Sequence, residues 1–359
     1  MVRGLGHSAG QRDREYALAS LHHGVVGLRH HRGKSWRFNR RLEALALMSE
    51  TPISRDMTVA RLKRAITAGD RIEIFDTVDR STTKVLDSAL NTERHPVWVR
   101  RDADDVLPTV FGTSLKNYRA EADTVLHLLA TGAFHDSASF DRMWLRPVSR
   151  LFKMRKAPPN VYHDALEKLR HYPALLAVFT VGVAAVLAGR EELLAQLMID
   201  PIRPNPLGDN DPPPSAAVCL SPVDILEEAV LAHPAAGLQG KGWFPQSHQV
   251  RTDIREPLRD IEPDDDVFQE ACSRFELLAS MLAIDAGAGA PLGCRYPWLG
   301  EYVQDRSWQT QHGLAARIGQ EITENWPLIQ GGAFGGLTRR AHAALATVSR
   351  WNRYNSFKQ

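Results

Sequence analysis

Residues 22–41, HHGVVGLRHHRGKSWRFNRR, gather four histidines (His22, His23, His30 and His31) and six basic residues around Trp36 and Phe38. Cationic side chains neutralise phosphates and aromatic faces stack on bases, so this composition suits nucleic-acid binding. It suits an acidic protein surface equally, with the aromatics as anchors and the charges as a rim. The candidate binding residues are Arg29, Arg32, Lys34, Trp36, Arg37, Phe38, Arg40 and Arg41. His23 and His30 fall two turns apart on a helix, but two imidazoles without a carboxylate make a poor metal site.

A second set of chemistry-bearing residues is His127 with the adjacent pair His163-Asp164. A helical metal-dependent phosphohydrolase of the HD type would need them to converge on one ion, together with a later Asp that the sequence does not single out. The pair follows Pro158-Pro159 and opens a helical stretch, where Asp164 is accounted for by the positive end of the helix. The EPDDD run at 262–266 lacks the spaced oxygens of a calcium loop and also precedes a helix. GGAFGG at 331–336 has neither the Lys-Ser/Thr pair nor the preceding strand of a phosphate loop, and reads as a tight turn using positive φ. Cys219, Cys272 and Cys294 form no C-x-x-C pair, and Cys272 sits in an apolar stripe as a small core residue. No catalytic residue, metal ligand or cofactor is expected from these patterns.

The elements that must carry these residues read as helical. The chain has 359 residues, 43% apolar and 24% charged, with a net charge of +2. Residues 1–70 are basic and the remainder is net acidic, so polyanion binding over the whole surface is excluded. Arginine far outnumbers lysine and alanine is abundant, a composition typical of GC-rich bacterial genomes. The opening residues carry no secretory apolar run, and a reduced cytoplasm is the expected setting.

Short amphipathic helices are expected over 37–49 and 54–68, the latter with Val59, Leu62, Ala65 and Ile66 on one face. Residues 71–100 mix strand-like RIEIF and HPVWV with helix-like TKVLDSAL, and read as helices with irregular joins or a minor β element. Ala122, Val125, Leu126 and Leu129 repeat with helical spacing, and Gly132 is expected to end that helix. Residues 172–189 carry no charge. Their alanines and glycines, and the acidic flank that follows, favour a buried central helix over a membrane span. Six prolines in 200–215 mark a break, and 233–262 reads as mixed loop. Ser221-Pro222-Val223-Asp224 is a helix start with Ser221 as cap. Later stripes run from Phe268 to Leu282 and from Leu337 to Trp351.

The fold class is therefore all-α, a multi-helical array or bundle. Its expected organisation is a basic arm over 1–50, a helical body over 51–202, a proline-rich linker over 203–216 and a second helical body over 217–359. Four segments carry a resemblance: YRAEADTVLHLLATGAFHDSASFDRMWLRPVSRL (118–151), LRHYPALLAVFTVGVAAVLAGREELLAQLM (169–198), FELLASMLAID (275–285) and NWPLIQGGAFGG (325–336). In order and character they resemble the helical C-terminal region of multidomain bacterial phage-defence and signalling proteins. The N-terminal domains of those proteins are Schlafen-type ATP-binding or Toll/interleukin-receptor-like. The resemblance implies no catalytic residue in this chain, because the family's chemistry sits in those N-terminal domains. It implies a sensor or scaffold half, encoded beside an effector or left by truncation, with a protein partner expected. Nucleic-acid binding through 22–41 and helical phosphohydrolase activity are the alternatives.

Overall fold

The computed structural model describes residues 54–99, 106–153, 162–202, 215–238, 244–287, 298, 300–303 and 306–356. Backbone contacts divide the chain into two units, 1–54 and 55–359, and the fifteen α-helices of the described residues all belong to the second. Among the described residues there is no strand, and a single antiparallel bridge pairs Pro201 with Ser215. The arm over 22–41, the helix expected over 37–49 and the stretch 203–214 lie outside the described residues.

Helix α1 (Arg55–Ala68) buries Val59, Leu62 and Ala65, the face that its spacing indicated. It stops at Gly69, whose φ of 69° is a left-handed conformation that glycine adopts without strain. Asp70 then caps α2 (Arg71–Ala89) by accepting the Glu73 amide proton at 3.0 Å. The RIEIF segment lies inside this one helix, where Ile74, Val78 and Val85 form the buried side. No minor β element forms there; burial of that face overrides the strand propensity of its β-branched residues.

Helix α3 (Val106–His135) is thirty residues long and runs through Gly132. The expected stop at Gly132 is thus corrected. A Cβ there would fall 2.3 Å from the Trp144 ring, so this glycine serves close packing rather than chain reversal. Trp144 belongs to α4 (Asp141–Phe152), which leads through α5 (Asp164–Leu169) to α6 (Tyr172–Leu187). Every residue of α6 from Tyr172 to Ala185 is buried, on all sides of the helix. No described helix is long and apolar enough to cross a membrane.

Helix α6 is the hub. It packs against α3, α4, α7 (Glu191–Ile199), α11 (Pro245–Arg259) and α12 (Asp265–Gly287). Between α7 and α11 come the one-turn helices α8 (Ala216–Cys219), α9 (Pro222–Ile225) and α10 (Glu228–Leu231). After α12 follow α13 (Leu314–Glu321), α14 (Pro327–Gln330) and α15 (Thr338–Ser356), the last lying on α12. Gly182 of α6 abuts the Phe275 ring of α12, and Phe275 stacks edge-on with Phe179 at 4.9 Å between centroids.

One hydrophobic core therefore takes residues from both sides of 203–214: Val181 and Leu176 before it, Ile254, Phe275 and Leu278 after it. Among the described residues, the helices on the two sides of 203–214 share that core. A helix apolar around its whole circumference needs neighbours on every side, and α11 and α12 supply part of them.

Two local expectations also change. Residues 245–259 are helix, not loop, with Val250, Ile254 and Leu258 buried at four-residue spacing. Ser221 does stand at the N-cap of α9, but its hydroxyl is buried without a partner and makes no cap bond. The helix that it precedes is only four residues long.

Candidate functional site

Four helices bring titratable side chains to one place. On α3, Arg119, Asp123 and His127 recur every four residues and so share a face. On α11, Gln249, Asp253 and Glu256, spaced four and three residues apart, share a face toward α3. Arg55 begins α1 and Tyr172 begins α6.

His127 is 3% exposed. Its Nδ1 lies 3.0 Å from the Asp123 carbonyl oxygen, and its Nε2 lies 2.9 Å from Glu256 Oε2. A carbonyl oxygen can only accept, so the first contact places a proton on Nδ1. The Asp123 carboxylate accepts from Arg119 Nη1 at 2.8 Å and from Arg55 Nη1 at 3.2 Å. The same Arg55 nitrogen donates to Glu256 Oε1 at 2.8 Å. Arg55 therefore bridges two carboxylates that belong to different helices. Burial works to raise Asp123, but the Arg119 hydrogen bond, the His127 and Arg119 charges and the Arg55 hydrogen bond outweigh it. The carboxyl is held below its usual range.

Behind this group lies a drier one. Tyr172 donates to Asp253 Oδ2 at 2.5 Å, and Gln249 Nε2 donates to the same oxygen at 3.0 Å. Burial raises Asp253 despite those two bonds and the nearby Arg119 charge. Burial and the adjacent Asp253 raise Tyr172 as well. Arg119 joins the two groups, since its Nε donates to the Asp253 backbone carbonyl at 2.6 Å.

Among the described residues, Asp123, His127 and Glu256 are the group whose ligand-type atoms approach closely enough to hold a metal ion, all within 4.8 Å of one another. His163 and Asp164 do not join them. His163 caps α5 by accepting the Ala165 amide proton at 3.3 Å, and Asp164 pairs with Lys168 at 2.8 Å. The HD-type triad does not assemble.

The remaining candidates fall into structural places. Asp264 accepts the amide protons of Asp266 and Val267, so the EPDDD run starts α12. In GGAFGG, Gly332, Phe334, Gly335 and Gly336 take positive φ and form the turn before α15. Cys272 is buried, and burial pushes its thiol up. The arm candidates Arg29, Arg32, Lys34, Trp36, Arg37, Phe38, Arg40 and Arg41 lie outside the described residues.

Two features were missed from sequence. Asp123, Glu256 and their arginines were not singled out, although Arg119-x3-Asp123-x3-His127 is a visible one-turn repeat. The other is an ion pair inside the core: Arg251 Nη2 meets Glu276 Oε2 at 2.5 Å, and Ser247 donates to the second Glu276 oxygen at 2.5 Å. A separate shallow cleft of about 630 Å³ is lined by Lys63, Thr67, His135 and Phe140. Its one buried carboxylate, Asp136, is already taken by the Trp144 indole and the Phe140 amide, both at 2.9 Å. The four-helix cluster is the stronger candidate, because its acids and imidazole face one another.

Comparison of the chain with protein-family models, with curated proteins and with solved structures finds no match.

Proposed function

We propose that this chain is a non-catalytic helical scaffold or sensor module that works with a partner protein in the bacterial cytoplasm. The observation that carries this reading is the bridging of Asp123 and Glu256 by Arg55. The acids at the candidate site are engaged with cations across α1, α3 and α11, an arrangement that links the three helices. The resemblance of segments 118–151, 169–198, 275–285 and 325–336 to the helical region of phage-defence proteins supports the same role. The basic arm with Trp36 and Phe38 supplies the chemistry for an acidic protein surface.

The test is a turnover assay on the purified full chain, using a phosphomonoester, a phosphodiester and nucleoside triphosphates with and without manganese. The wild type and His127→Ala are expected to give the same background. Hydrolysis by the wild type that His127→Ala abolishes would replace the scaffold reading with a phosphohydrolase.

A further inference from the structure

We infer that His127, Glu256 and Asp123 form a binding site for a divalent transition cation of the zinc class, and that the ion takes the place of Arg55. The inference goes beyond the scaffold reading and does not rest on it, since a chain with no protein partner could still bind the ion.

With its Nδ1 proton given to the Asp123 carbonyl, His127 turns Nε2 toward Glu256 Oε2 at 2.9 Å. Two lone pairs at that distance repel unless a proton or a cation stands between the groups. Metal-bound histidines commonly donate their second ring proton to a carbonyl or carboxylate, which fixes the ring and leaves one nitrogen for the ion. Ligand atoms about 2.0–2.1 Å from a zinc ion stand roughly 3–3.4 Å from one another. The Nε2–Oε2 pair at 2.9 Å is close to that spacing, and the Asp123 oxygen, within 4.8 Å, would close in as the ion binds. One imidazole with two carboxylates favours zinc, cobalt or nickel over calcium or magnesium, which prefer oxygen alone.

Charge decides which group must leave. Two carboxylates already balance Arg55 and Arg119, so a divalent ion would leave the cluster strongly positive unless a cation departs. Arg119 is held by its bond to the Asp253 carbonyl and its side chain is 17% exposed. The Arg55 side chain is 37% exposed, and Glu256 beside it is 47% exposed. Arg55 can swing into water at little desolvation cost, which frees one oxygen on each carboxylate. Ion and arginine thus compete for the same two acids.

The experiment titrates the full chain with zinc by calorimetry and with cobalt by visible absorption. One saturable site per chain is expected, with ligand-field bands of cobalt bound to nitrogen and oxygen. His127→Gln should weaken binding at least ~10-fold, and Arg55→Ala should strengthen it. Absence of saturable binding in the wild type, or undiminished binding to a folded His127→Gln chain, overturns the inference. If His127→Gln does not fold, Arg55→Ala decides: unchanged or weaker affinity refutes the competition. A stability that responds to pH but not to either metal assigns the bridging particle as a proton and likewise overturns the site.

Discussion

Arg55 and Glu256 stand 201 positions apart in the chain, yet Arg55 Nη1 lies 2.8 Å from Glu256 Oε1. The same nitrogen reaches Asp123, so one guanidinium ties the start of α1 to both α3 and α11. Both Arg55 and Glu256 are partly exposed, and screening by water keeps such pairs weak. Arg55→Ala should therefore cost under about 1 kcal/mol. The informative quantity is the coupling. A double-mutant cycle with Glu256→Gln should give an interaction of about 0.3–1 kcal/mol in urea unfolding. Strict additivity would mean that the bridge contributes nothing.

Asp253 gives a pH dependence of defined sign. Burial holds its folded-state pKa above the unfolded value, so its favourable contribution is complete below the unfolded pKa. That contribution is lost as pH rises through the folded value. Asp253→Asn removes the titration while its amide oxygen can still accept from Tyr172 and Gln249. Measured between about pH 4 and pH 7, the variant should gain stability relative to wild type toward neutral pH. Asp123→Asn should lose its disadvantage only below about pH 4, because Asp123 is depressed and its contribution disappears as pH falls through its folded pKa. An Asp253→Asn chain that loses ground toward neutral pH contradicts this assignment.

Gly182 tests the hub. Alanine in place of glycine inside a helix gains about 1 kcal/mol from propensity. Against that, the new methyl would sit 2.1 Å from the Phe275 ring. Phe275 is itself wedged between Phe179 and Trp298, with centroids 4.9 and 6.3 Å away, so it has little room to move. Overpacking costs about 1–3 kcal/mol and should win. Gly182→Ala is predicted to lower the urea midpoint. A raised midpoint would mean that α6 and α12 lie further apart than described.

The helices legible in sequence were those whose apolar residues repeat on a face. The spacing of Val59, Leu62 and Ala65 marked α1, and the stripe from Phe268 to Leu282 marked α12; these residues are buried as expected. Helix α11 escaped because its buried face mixes Val250, Ile254 and Leu258 with Gln246, Ser247 and Arg251, whose burial depends on a partner elsewhere. Nothing local to Arg251 announces Glu276, which lies on the next helix. The candidate site was obscured for the same reason. His127 was visible as a candidate, but its neighbours are decided by the packing of α3 against α11 and α1, which sequence spacing does not encode.

Cleavage engineered into 203–214 should not separate the chain into two independent bodies. Helix α6 buries its circumference partly against α11 and α12. The two fragments should elute together under native conditions, and each alone should lose most of its helical signal. Two fragments that each unfold cooperatively on their own would show that one core is not required.

The reading of this chain as a partner-binding scaffold is tested most directly by a binding isotherm. A protein co-purified with the tagged full chain from its own host would be purified and titrated against wild type, Trp36→Ala and Arg40→Ala. A saturable complex is predicted in which Trp36→Ala weakens affinity about 10-fold or more, while Arg40→Ala changes it by less than about threefold. The scaffold role is contradicted if no such protein forms a saturable complex and the chain instead binds single-stranded nucleic acid. That binding would have to be micromolar or tighter at physiological salt and lost when residues 22–41 are deleted.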